Sequence, residues 1–336
     1  MKGRIKKYAS FFAFAMLAAV LAGCTGRSGD VQENVATGAL IEPGQNEGQT
    51  GTAAPEPTKA PTATPEPTPA PVPEGKTYAD GYKSPVAGEK DDFDAKALEA
   101  DGFTVVSTTE DFLAAIHPGA GIIIAPGYYD MSLYMEEAWQ KGMDDFANFD
   151  EVERELRVND WVYIVECFDG VELEIRGADD LMISGGSEAF GDTELVVEPR
   201  YAEVMRFECC RNVDLFNLTM GHTESGDCSG NVIDIERSNN IRMHNMDIFG
   251  CGVYGLGICK GSGDISLYES TIRDCRYGPL LFQEGIGIVA FYNCTLNGSA
   301  GSMPYWATTQ SRLVFDHCIL GDWETTAVSL DRKSVV

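Results

Sequence analysis

Residues 231–252 read NVIDIERSNNIRMHNMDIFGCG, and residues 255–276 read GLGICKGSGDISLYESTIRDCR. In both, apolar residues fall at every second position, a short turn of Ser, Asn, Gly or Asp interrupts them, and the alternation resumes. Alternation with period two belongs to strands, not helices. The same plan extends in both directions. Val213, Ile241, Ile265, Val289 and Leu313 lie 28, 24, 24 and 24 residues apart. Two residues after each anchor comes another apolar side chain (Leu215, Met243, Leu267, Phe291, Phe315). Four residues after comes Asn217, Asn245 or Asn293, with Glu269 and His317 departing from the pattern. A further apolar residue follows at the seventh position, and an earlier copy begins at Leu181 with Ile183. A fixed period in this range means stacked structural units.

Short strands in stacked, in-register units predict an all-β fold: a single-stranded parallel β-helix over residues 100–330. The Asn of each unit sits where a tight turn is needed, and its amide can bond to the coils above and below. Cys294 and Cys318 share one template position beside Ser270, and Cys251 aligns with Cys275. Parallel neighbours in register point their side chains the same way, which is poor disulfide geometry. Mostly free, buried thiols are expected. Residues 103–128, FTVVSTTEDFLAAIHPGAGIIIAPGY, read as strand, short helix, strand, with Ser107 and Glu110 as a capping box. The short helix would cover the open first coil and protect its strand edge. Residues 131–160 carry charged and aromatic residues at helical spacing and predict a partly helical insertion.

The stretch 103–128 resembles the first coil of right-handed β-helix proteins of the pectate-lyase-like class. The later coils, including CFDGVELEIRGADDLMISGG and GHTESGDCSGNVIDI, are similar to bacterial right-handed parallel β-helix repeat proteins. The resemblance implies the right-handed solenoid and a glycan cleft over an outward sheet face. The Gly221-His222 pair resembles the start of a polygalacturonase motif, although the companion Asn-x-Asp, paired Asp and Arg-x-Lys are absent from the expected coils.

The first 85 residues have a different character. Lys2, Arg4, Lys6 and Lys7 precede an apolar run from Phe11 to Leu21, too short to span a bilayer comfortably. Residues 1–23 therefore read as a signal peptide. The run ends Leu21-Ala22-Gly23-Cys24, which resembles the lipobox of bacterial lipoproteins and implies a lipidated Cys24 on the outer face of a membrane. Residues 24–85 follow as a disordered linker, Pro-rich in APEPTKAPTATPEPTPAPVPEG, which favours polyproline II and acts as a spacer.

The chain has 25 Lys and Arg against 52 Asp and Glu, a net charge of −27. Such a balance argues against nucleic acid as a partner. No Cys-x-x-Cys, His-Glu-x-x-His or phosphate loop supports a zinc or nucleotide role. A monomer is expected.

Chemistry is sought on the strand before each anchor. Counting back from the anchors gives one outward column of Glu174, Arg206, Asp234, Ile258, Phe282 and Trp306. A second holds Arg176, Glu208, Glu236, Lys260, Glu284 and Thr308. Adjacent coils lie about 4.8 Å apart, so Arg206, Glu208, Asp234, Glu236 and Lys260 should crowd into one patch. Carboxylates can act as acid and base on a glycan, and Phe282 and Trp306 would stack on sugar rings, with Glu208 and Glu284 beside them. In the hydrolase version Asp234 and Glu236 are acid and base. In the lyase version Lys260 is the base, Arg206 neutralises charge, and Asp234 and Glu236 are candidate Ca²⁺ ligands. His222 would assist from the loop 221–230, with Glu224 and Asp227 at its rim. The same charges read equally as an exposed salt-bridge ladder, Arg176–Glu208 and Glu236–Lys260–Glu284, in a non-catalytic glycan- or protein-binding, adhesion or structural solenoid. A further outward stripe of Phe216, His244, Tyr268, Tyr292 and Asp316 reads as structural stacking or as a binding strip.

Overall fold

The computed structural model describes residues 75–145, 148–150, 152–223, 230–250, 253–298, 305–307 and 312–321. It is a parallel β-solenoid with three sheets. Sheet 1 contains Val171–Arg176, Met205–Glu208, Ile233–Glu236, Tyr254–Cys259, Gly278–Gln283 and Tyr305–Ala307. Sheet 2 contains Leu181–Gly185, Arg211–Phe216, Asn239–His244, Gly263–Tyr268, Ile288–Tyr292 and Arg312–Asp316. Sheet 3 contains Thr193–Val197, Thr219–His222, Asp247–Phe249, Thr271–Cys275, Thr295–Gly298 and Ile319–Leu320. Each coil contributes one strand to each sheet.

The anchor series is the spine of sheet 2. Leu181, Val213, Ile241, Ile265, Val289 and Leu313 pair in register through consecutive parallel ladders. Two residues on, Leu215, Met243, Leu267, Phe291 and Phe315 repeat this, and the Phe291 and Phe315 rings stack at 5.0 Å. These side chains form one continuous core that runs the length of the solenoid.

The corners explain the Asn template. Asn217, Asn245 and Asn293 all have φ near +55°, the left-handed region that Asn tolerates best among residues with a side chain; Glu269 and His317 occupy the same conformation in their coils. The Asn245 Nδ2 donates to Asn217 Oδ1 at 2.9 Å, as a ladder requires. A second, exposed ladder that the template did not foresee runs through Asp180, Asn212 and Asn240, again at positive φ. The position after the turn residue holds Leu218 and Met246 and then the smaller Ser270, Cys294 and Cys318; the Met246 N–H donates to Ser270 Oγ at 3.0 Å. Cys167, Cys209, Cys210, Cys259, Cys275, Cys294 and Cys318 are all free. Cys251 lies outside the described residues.

The N-terminal end is sealed twice. Thr104–Val106 pairs with Gly121–Ile124, and the helix Thr109–Ala115 between them buries Phe112 and Leu113. Its cap is Thr108, whose hydroxyl accepts from the Asp111 N–H at 3.1 Å, one residue later than the Ser107 and Glu110 expected. Gly127–Asp130 then leads into a helix, Met131–Asp145, that buries Met131, Met135 and Trp139. An antiparallel ribbon follows, with Glu155–Arg157 paired to Val162–Glu166 and that strand paired to Val171–Arg176. The insertion is therefore partly helical, as its spacing suggested, and partly an antiparallel cover for the leading edge of sheet 1.

Residues at the C-terminal end of the expected linker are packed against the coils. Lys76 forms an ion pair with Glu269, and the Asn217 amide donates to Ser84 Oγ at 2.8 Å. Tyr78 is buried against Phe216 and His244. The stripe Phe216, His244, Tyr268 and Tyr292 is a continuous ring stack with centroids 4.6–4.8 Å apart. This strap covers its first members, so Phe216 and His244 are structural and not a binding strip.

Candidate active site on the charged face

The outward face of sheet 1 carries the charges. Arg206 is in register with Glu174 on one side and Asp234 on the other; Glu208 is in register with Arg176 and Glu236. The sequence-derived patch is thus assembled as far as the coil of Ile233–Glu236.

Beyond that coil the strands are out of phase with the expectation. Asp234 pairs with Gly257 and not Ile258; Ile258 pairs with Ile235 and with Phe282. Ile258 and Phe282 are fully buried in the core, and Trp306 is in register with Phe282. Phe282 therefore does not belong to the outward column. The cause is one residue in the turn. Glu236 reaches its anchor Ile241 through a corner with Arg237 alone at its start in the left-handed region. Cys259 reaches Ile265 through Lys260 and Gly261, both left-handed. The extra residue shifts the preceding strand by one, and in a strand a slip of one turns every side chain to the other face. Glu284-Gly285 repeats the device, which leaves Glu284 exposed at a corner. The two Gly residues were the available signal.

Two charge systems occupy the face. The outer one alternates in sign. Arg176 bonds Glu155 and Glu174 at 2.7 Å each and approaches Glu208 at 3.5 Å. Arg237 pairs with Glu208 and lies 3.7 Å from Glu236, and Lys260 donates to both Glu236 oxygens at 2.7 and 2.6 Å. Arg176–Glu208 and Glu236–Lys260 match the salt-bridge reading, whereas Glu284 does not extend it among the described residues.

The inner system is unbalanced. The Arg206 guanidinium lies 2.7 Å from Glu203, 3.5 Å from Glu172 and 3.7 Å from Asp234. Glu172, Glu203 and Asp234 are all buried, so three carboxylates share one cation away from water. The Glu203 contact is close but out of line, and neither Arg206 Nε nor Glu203 Oε2 makes a hydrogen bond. The Glu203 N–H donates to Glu172 at 3.1 Å, and the Asn231 amide donates to Asp234 at 3.0 Å while its own oxygen has no partner. Burial drives the Glu203 carboxyl well above its ordinary range, with the charges of Asp234 and Glu172 adding to the effect and Arg206 opposing it. Glu172 and Asp234 are raised by burial too, against the pull of Arg206. Crowded buried carboxylates of this kind titrate collectively, and burial favours their protonated forms.

Glu172 was legible, since VELEIR alternates and Glu172 is the next outward residue before Glu174. Glu203 was not, because it lies in the segment between sheets where no period operates. Cys259 takes the column place beside Glu236. Burial, with Asp234 and Glu236 adding, pushes its thiol up to about 12, so it is a protonated filler and no nucleophile.

His222 is not at a rim. It ends the strand Thr219–His222, is buried, and its Nε2 lies 2.8 Å from the Ala202 carbonyl oxygen. Burial lowers its pKa, which keeps it neutral. It fastens the segment that presents Glu203. Glu224 and Asp227 lie outside the described residues. The donors assigned to Ca²⁺ do not fit that ion: both Glu236 oxygens are taken by Lys260, and Asp234 faces Arg206 and Asn231.

No family model matches the chain, and no curated protein matches it. Among solved structures it is similar to the crystal structure of a proposed glycosyl hydrolase from Parabacteroides merdae ATCC 43184. The two are 12% identical, the match covers 46% of this chain and 81% of that one, and the TM-score is 0.33. A likeness at that level says nothing about chemistry.

Proposed function

We propose that this chain is a carbohydrate-active solenoid, tethered through a lipidated Cys24 and a Pro-rich spacer to the outer face of a bacterial membrane, and that sheet 1 carries a glycoside-hydrolase site. The observation that supports it is the crowding of Glu172, Glu203 and Asp234 around the one Arg206 guanidinium. Glycoside hydrolysis needs one carboxyl that keeps its proton and one that does not. Glu203, with its strongly raised pKa, is the general acid. Asp234, steadied by Asn231, is the carboxylate that serves as base or nucleophile. Arg206 favours the ionised form of the second carboxylate, against the effect of burial. The lyase version is weaker, because Lys260 is engaged by both oxygens of Glu236.

The alternating chain from Arg176 to Lys260 favours a second reading, a rigid glycan-binding module without turnover. One experiment separates the two. The full-length chain is incubated with neutral, amino and acidic polysaccharides, and new reducing ends and unsaturated-uronate absorbance are followed. The hydrolase reading expects reducing ends without that absorbance, and a loss of about 10²-fold or more in Glu203→Gln with the fold retained by circular dichroism. Silence across the panel rejects turnover. The anchor is tested by metabolic labelling with a tagged fatty acid, which Cys24→Ala should abolish; an unchanged label in that variant sinks the lipoprotein reading.

A further inference from the structure

The register slip turns Phe282 into the core, but two exposed aromatics stand close in the chain to the carboxylate cluster. Val162–Glu166 and Val171–Arg176 are joined by a tight hairpin, and Phe168 sits at its tip, 84% exposed. Tyr201, 37% exposed, lies against it with ring centroids 4.8 Å apart and planes tilted by 51°. An exposed Phe on a hairpin tip gains little from folding, since most of its area stays in water.

The pair is held rigidly. The Asp169 carboxylate, between Phe168 and Gly170, accepts from the backbone N–H groups of Arg200 and Tyr201 at 2.9 and 3.1 Å. Gly170 packs so closely on Pro199 that a Cβ there would stand 2.5 Å from Pro199 Cγ. Both rings are chained to the carboxylate cluster. Tyr201 is two residues from Glu203, at most about 7 Å of extended chain, and Phe168 is four residues before Glu172, whose carboxylate accepts from the Glu203 N–H. His222 fixes Ala202, which lies between Tyr201 and Glu203. Next to the rings in the chain, Asp169 and Arg200 join Glu136, Glu198 and Pro199 in lining a hollow of about 410 Å³.

We infer that Phe168 and Tyr201 form the ring-stacking subsite for a glycan whose scissile end reaches Glu203, and that this glycan carries no carboxylates. The inference rests on the carbohydrate reading above and adds the subsite and the substrate class. A preorganised aromatic pair presents the flat apolar surface on which the C–H face of a sugar ring stacks. The charge next to it decides the class. Glu136, Asp169 and Glu198 border the hollow with Arg200 as its one cation, and Glu172, Glu203 and Asp234 exceed Arg206 in the cluster. A uronate chain would meet like charge at both places, whereas neutral or amino sugars would not.

The test is calorimetric binding of neutral, amino and uronate oligosaccharides to the full-length Glu203→Gln protein, with and without Phe168→Ala and Tyr201→Ala. The expected result is binding of a neutral or amino sugar and not of the uronate, weakened about tenfold or more by each aromatic substitution, with unchanged unfolding midpoints. A bound neutral glycan whose affinity ignores both substitutions overturns the subsite and leaves the carbohydrate reading standing. Preference for the uronate overturns the substrate class. No binding to any member of the panel overturns the inference together with the reading beneath it.

Discussion

At the scale of single residues, the decisive feature is an imbalance. Buried acids are ordinarily matched by cations, and on the outer half of the charged face they are. Around Arg206 they are not, and the consequence is visible in stability as well as in chemistry. The pKa values of Glu172, Glu203 and Asp234 are raised in the folded chain. A raised carboxyl pKa means that the folded state binds more protons than the unfolded one. Its stabilising contribution is complete below the unfolded values, about 4 to 4.5, and is lost as pH rises through the folded ones. Glu203→Gln removes the most strongly shifted group. Its urea midpoint should therefore decline less than that of the parent chain between pH 4.5 and 8. Parallel declines would mean that Glu203 titrates normally and would remove it as the general acid.

At the scale of the element, a strand of sheet 1 is defined by what its neighbours can accept. Gly257 occupies the outward column next to Asp234, and an added Cβ would lie 2.2 Å from Asp234 Oδ1 and 2.6 Å from Asn231 Nδ2. The absence of a side chain there is what lets the Asp234 carboxylate and its Asn231 partner fold over the next coil. Gly257→Ala should displace both, lowering stability by about 1–3 kcal/mol in denaturant unfolding and reducing any turnover in parallel with Glu203→Gln. Retention of full stability would show that Asp234 has room to move and is not held in place by its neighbours.

At the scale of the whole molecule, the strap from residue 75 to 86 packs on the sheet-2 flank of the solenoid. Tyr78 lies 4.4 Å from the His244 ring, and Arg242 lies 3.7 Å from the Tyr82 ring centroid. His244 is buried, and neither ring nitrogen makes a hydrogen bond, although Nε2 is 3.5 Å from Asp80. Burial, with Arg242 adding, lowers its pKa from 6.5 to about 3. The unfolded chain therefore takes up a proton that the folded chain refuses. The contribution of this site to stability is full above about pH 6.5 and is lost as pH falls toward about 3. His244→Phe would continue the stack from Phe216 without a titrating group. Its melting temperature should exceed the parent's at pH 4 by more than at pH 7.5. An equal difference at both pH values would contradict a neutral His244 under the strap. The acid cluster and His244 act in opposite directions with pH, which is why each is read as a difference between variant and parent.

What the sequence determined by itself is the solenoid: its period, its anchors, its strands and the turn Asn. Each coil repeats the environment of the last, so the same selection acts at the same template position, and the repetition makes it visible. The first half of the charged face was legible for the same reason, from Glu174 through Arg206 to Asp234. Only the tertiary structure decided the rest. It showed that Lys260-Gly261 and Glu284-Gly285 each lengthen a corner and turn Ile258 and Phe282 into the core, because strand facing depends on a count of one residue. It brought Glu203 to Glu172 and Asp234 from an inter-sheet segment, and it paired Phe168 at a hairpin tip with Tyr201, where no period exists to be read. It laid the end of the expected linker over His244, because burial by a distant segment depends on where the chain returns in space, and local pattern carries no record of that.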